Sequence, residues 1–122
     1  MDIDTKLREI LTKTIKKCPH SRQHIAKEMS EITGTVITKE MIDSWTAKAK
    51  NKHRFPAIFL PAFCIATNNS KALSFLTRKA NAVVLSKEDA LRVDIHKLQE
   101  ERDKINKRIK KKKSRLNDLE TE

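Results

Sequence analysis

The sequence predicts an all-α protein: a small multi-helix bundle over residues 1–85, followed by one long C-terminal coiled-coil helix over residues 86–122. Three observations carry that prediction. Apolar side chains in the first 85 residues recur three and four apart, the spacing that gathers them on one helical face. The chain's single glycine and its prolines fall where such helices should end or begin. Beyond Ser86 there is neither proline nor glycine, and apolar residues continue at heptad spacing.

Taken in order, residues 4–17 form the first predicted helix, with Asp4 as N-cap. Leu7, Ile10, Leu11, Thr14 and Ile15 share a face, Lys16 and Lys17 suit the negative end of the dipole, and Pro19 closes the element. A second helix covers residues 22–33, capped by Ser21, with Ile25, Ala26, Met29 and Ile32 turned inward. Gly34 stands where that helix should stop, and glycine enters the left-handed C-cap conformation without a Cβ clash. Thr38 then caps a third helix over residues 39–50. Met41, Ile42, Trp45 and Ala49 face in, and Lys39, Glu40, Asp43, Ser44, Ala47, Lys48 and Asn51 face out.

Residues 48–56 make a basic loop carrying Lys48, Lys50, Lys52, His53 and Arg54 without an acid. Residues 56–67 are the most apolar stretch. Pro61 is tolerated only in a first helical turn, so a short turn through Leu60 should lead into a helix from Pro61 to Thr67, with Phe59, Leu60, Phe63, Cys64 and Ile65 in the core. A further helix spans residues 70–80, with Leu73, Leu76 and Ala80 inward and Phe75 off that stripe, capping the core or facing a partner. Residues 82–85 read as a short strand or a lid over the core.

From Ser86, with Asp89 three residues on, one helix should run to the end of the chain. Leu91, Ile95, Leu98, Arg102, Ile105, Ile109, Lys112, Leu116 and Leu119 alternate in steps of four and three, a heptad seam interrupted by Arg102 and Lys112. The competing reading is a solvated single helix held by pairs such as Glu100–Lys104 and Asp103–Lys107. For two paired helices, the charges flanking the seam favour an antiparallel arrangement.

Residues 21–50 resemble a helix-turn-helix module, and the N-terminal part is similar to the lambda-repressor-like class of phage and prophage regulators. The resemblance rests on Ile25 and Ala26 in the first helix, Gly34 in the turn, and Ile42 and Trp45 in the second. The connection through residues 34–38 is several residues longer than the tight turn of the standard motif. The resemblance implies a DNA-binding transcriptional regulator whose second helix enters the major groove of double-stranded DNA. Lys39, Ser44 and Lys48 would offer donors, Glu40 or Asp43 would accept from cytosine N4, and Lys50, Lys52 and Arg54 would hold phosphates.

A net charge of +11 with 35% charged residues agrees with an anionic partner. The alternative is an assembly or adaptor protein, or a small terminase-like subunit between the two classes, in which the hairpin only builds a core and the charge is incidental. Other classes fare worse. There is no apolar run of about 18 residues for a membrane helix. The acidic N-terminus lacks the order of a signal peptide. Cys18 and Cys64 read as reduced thiols, which together point to the cytoplasm. Cys18, His20, His24 and Cys64 lack a second matching pair of ligands, and His20 and His24 straddle a helix start, so their rings need not converge. No metal site, cofactor or catalytic residue is expected, and no enzyme: a chain with one glycine has no phosphate-cradling loop. The expected partners are DNA and a second copy of the chain, as a dimer through residues 87–120, with no membrane.

Overall fold

The computed structural model describes residues 2–48 and 52–121, and among them every regular element is helical. The order is α1 (Ile3–Lys17), α2 (Arg22–Thr33), α3 (Lys39–Thr46), a 3-10 turn (Ala57–Phe59), α4 (Leu60–Thr67), α5 (Lys71–Lys79) and α6 (Lys87–Glu120). The chain divides into two compact units, Met1–Val84 and Leu85–Glu122.

In the first unit, α2 packs on α4, α1 packs on α3 and α5, and α4 joins α5. Their shared core is Leu11, Ile15, Ile25, Ala26, Met29, Ile37, Ile42, Trp45, Leu60, Ala62, Phe63, Ala66 and Ala72. Local signals set most boundaries. The Ser21 hydroxyl accepts from the His24 N–H at 3.1 Å, and Gly34 closes α2 at φ +71°. The Thr38 hydroxyl accepts from the Met41 N–H at 3.2 Å. Cys18 ends α1 in the extended region that a following proline imposes. Asn68 closes α4 at φ 50°, and the Asn69 amide oxygen caps α5 through the Lys71 N–H at 2.9 Å.

Several expectations are corrected. The N-cap of α1 is Asp2, which accepts from the Thr5 N–H, because Asp4 is drawn to Arg8 one turn on. Ile32, Ile65 and Ala80 lie on helical stripes but are exposed. The stripe of α5 is centred on Ala72, with Leu73 and Leu76 at its edge. Residues 82–85 form neither strand nor lid: Val83, Val84 and Leu85 are exposed and without regular structure. Ala49 lies outside the described residues.

Helix α3 stops at Thr46, short of the expected residue 50. A helix ends with carbonyls that lack an intrahelical donor. Here the Arg8 guanidinium supplies donors to the carbonyls of Ser44, Trp45 and Ala47, at 3.1, 3.1 and 2.9 Å. A cation at this terminus also complements the helix dipole.

The second unit is α6, 34 residues or about 51 Å at the helical rise. Ser86 caps it through the Asp89 N–H at 3.0 Å. Leu91, Ile95, Leu98, Ile105, Ile109, Leu116 and Leu119 are all exposed along it. Along it Arg92 pairs with Asp89 and Arg102 with Asp103, and Glu100 meets His96 one turn before it instead of Lys104.

Candidate nucleic-acid interface

The surface of α3 is set by what holds α3 in place. Ile42 and Trp45 are buried, and the Trp45 ring meets Phe55 at 4.9 Å edge-on and Phe59 at 5.9 Å. Phe55 also meets Phe63 at 5.6 Å. Trp45 is therefore a core residue and not a platform for bases. The long connection before α3 is equally fixed. Ile37 is buried, and its N–H donates to the Ser30 hydroxyl at 2.8 Å, while that hydroxyl reaches the Ala26 carbonyl at 2.8 Å. The extra residues of the turn thus insert a core anchor ahead of α3.

Asp43 sits between two cations. Lys39 Nζ donates to one carboxylate oxygen and Arg22 Nη1 to the other, both at 3.0 Å. Arg22 also donates to the Thr46 hydroxyl at 3.0 Å. The hydrogen bond from Lys39, helped by the charges of Lys39 and Arg22, holds the Asp43 carboxyl below its ordinary range. Both oxygens are engaged within the protein, and two positive groups offset the charge that would repel a phosphate. Glu40 remains exposed near the start of α3, and Ser44 is half-buried.

The basic loop leaves the C-terminal end of α3. Lys48 lies in the turn beyond the helix and is exposed, as are Lys52 and Arg54; Lys50 lies outside the described residues. Arg8 fastens this loop too, donating to the His53 carbonyl at 2.9 Å. With Phe55 in the aromatic cluster, Arg54 is bracketed by two anchored neighbours and projects from a fixed backbone. Lys52 and Arg54 share a groove with Asp2 and Asp4. Those acids are committed to the cap of α1 and to Arg8.

Arg8 and Arg22 are two charged residues that the sequence pattern did not single out. For Arg8 a signal was present: it stands three and seven residues before Leu11 and Ile15, on the buried stripe of α1. Arg22 gave none, since its partner is 21 residues away.

Two further clusters stand apart from α3. A groove of about 390 Å³ between α1 and α5 is rimmed by Lys13, Lys17, Lys71 and Arg78 around Phe75. This places Phe75 at a surface groove, half-buried, with the Lys79 ammonium 5.6 Å from its ring. At the start of α2, the His20 and His24 rings do converge, with centroids 4.3 Å apart, contrary to the expectation from their spacing. Neither thiol joins them. Cys64 is half-buried, and burial raises its pKa, so it behaves as a core thiol.

No helix among the described residues is long and apolar enough to cross a membrane. No family model, curated protein or solved structure matches the chain.

Proposed function

We propose that the chain is a DNA-binding transcriptional regulator of phage or prophage type, reading duplex DNA with α3 and oligomerising through α6. The observation that carries this reading is the double anchorage by Arg8. One buried guanidinium holds both the end of α3 and the His53 carbonyl in the second half of the basic loop, so the exposed face of α3 and Arg54 share one frame. Preorganised groups lose less on binding than mobile ones. At eight residues, α3 is about 12 Å long, a length that suits the major groove. Lys39 and Glu40 would face base edges, with Asp43 orienting Lys39 from within. Lys50, Lys52 and Arg54 would contact phosphates.

The test is fluorescence anisotropy with duplex DNA over a range of salt. Contact with about three phosphates per subunit predicts a log–log slope near −2.7 per subunit. The double variant Lys52→Ala/Arg54→Ala should flatten that slope by about 2 while weakening all sequences alike. No measurable affinity at low salt, for random and genomic duplexes alike, would overturn the reading.

A second reading, an assembly or adaptor protein, is favoured by one observation: the apolar stripe along α6 is exposed over its whole length. An intact oligomer with no DNA affinity in the same experiment would select it.

A further inference from the structure

We propose that His20, His24 and Glu28 form a binding site for one divalent ion of the zinc, cobalt, nickel and copper class. Three independent features of the local fold bring these side chains together. Ser21, the N-cap, holds the His24 N–H at 3.1 Å and so fixes the first turn of α2 beside the residue preceding the cap. His24 and Glu28 are four apart on α2 and face each other, with Nε2 and Oε1 2.7 Å apart. His20 then lies over His24, the rings 4.3 Å apart and tilted by 31°. One donor atom from each residue lies within 4.8 Å of the other two.

Donors bound to one tetrahedral ion at about 2.0–2.1 Å lie roughly 3.3 Å from one another. Side-chain rotation alone closes that difference, because His20 and His24 are exposed and Glu28 half-buried, with no core packing to resist. Two imidazoles and a carboxylate are the donor set that borderline divalent ions prefer over magnesium or calcium, which take oxygen. Three protein ligands leave a fourth position to water or to a donor from another molecule. The positive end of the α2 dipole opposes a cation here, and the Glu28 carboxylate offsets it. Affinity well short of that of a closed structural zinc site follows.

The sequence contains a useful comparison. His96 and Glu100 on α6 form the same four-apart pair at 3.0 Å, but no third ligand accompanies them among the described residues. Two ligands without the third should bind far more weakly.

The experiment is titration of the full chain with cobalt(II), followed by absorbance, and with zinc, followed by calorimetry. One saturable site per chain is expected, showing cobalt d–d bands without a thiolate-to-cobalt charge-transfer band. His20→Gln and His24→Gln should each weaken binding tenfold or more, and Glu28→Gln by less. All three should keep the circular dichroism spectrum of the parent, since the residues lie at the surface. His96→Gln should change nothing. A charge-transfer band would assign the ion to Cys18 or Cys64 and overturn the proposal. So would binding that survives both histidine substitutions, is lost with His96, or never saturates.

Discussion

Arg8 is the residue on which the candidate interface depends, and burial makes its contribution large. Only 3% of it is exposed. A guanidinium has five donors in a rigid fork; here Nε meets Asp4, Nη1 reaches the carbonyls of Ser44, Trp45 and Ala47, and Nη2 that of His53. Removing it would leave those acceptors without their donor and Asp4 without its cation. Loss of one partner from a buried charged network costs about 3–5 kcal/mol. Arg8→Ala should therefore destabilise the first unit by that amount in chemical denaturation. Arg8→Lys should recover only part of it, because an ammonium has three donors and no fork. An Arg8→Ala protein within about 0.5 kcal/mol of the parent, inside the range of an ordinary surface change, would show that the network is not what holds α3. By the same comparison Asp43 is a lesser matter. Its pair with Lys39 is half-exposed, and exposed pairs contribute about 0–1 kcal/mol.

At the scale of elements, what was legible follows from how far away each determinant lies. Ser21, Gly34, Thr38, Pro61 and Ser86 act within a turn of themselves, and each stands at or within a residue of the boundary it was expected to mark. The end of α3 depends on Arg8, 36 to 39 positions earlier, so no local pattern could show that the helix stops at Thr46. Ile37 was missed for a related reason. It is a single apolar residue in a loop, and its burial is decided by the docking of α3. The exposed face of α3 was legible because Ile42 and Trp45 fix which side is buried. The ion pair that neutralises part of that face, from Arg22 on α2, was not. Trp45 is the test of this element. It is 7% exposed and ties α3 to Phe55 and Phe59. Trp45→Ala should cost about 3–5 kcal/mol, as truncation of a large aromatic in a core does. A variant that kept its melting temperature yet lost DNA affinity would move Trp45 from core to interface.

For the whole molecule, the division into Met1–Val84 and Leu85–Glu122 separates a unit with a core from one whose large apolar residues are all exposed. Deleting residues 87–122 should thus leave a folded, cooperative first unit that is monomeric in sedimentation. An unfolded truncation would show that α6 completes the core, and an oligomeric one would place the contact between copies in the first unit. The exposed stripe on α6 calls for a partner, and its flanking charges indicate the orientation if that partner is a second copy. With Leu91 at d and Ile95 at a, position g holds Asp94, Glu101, Arg108 and Arg115, while position e includes Lys113 and Glu120. Parallel helices would set Arg108 against Lys113 of the second copy, and only Arg115 with Glu120 would attract. They would also align the acid-free run from Lys104 to Arg115 with its own copy. Antiparallel helices bring Asp94 to Arg115 and Glu101 to Arg108, in both symmetry-related halves. Charges at these positions set partner orientation more than they add stability, so the antiparallel pair is the expected one. The check is disulfide formation by Leu91→Cys and by Leu119→Cys chains in a background without Cys18 and Cys64, because each position meets its own copy only in a parallel pair. Each alone should cross-link poorly. Efficient disulfide formation by Leu91→Cys alone, and likewise by Leu119→Cys alone, would establish parallel helices and exclude this arrangement.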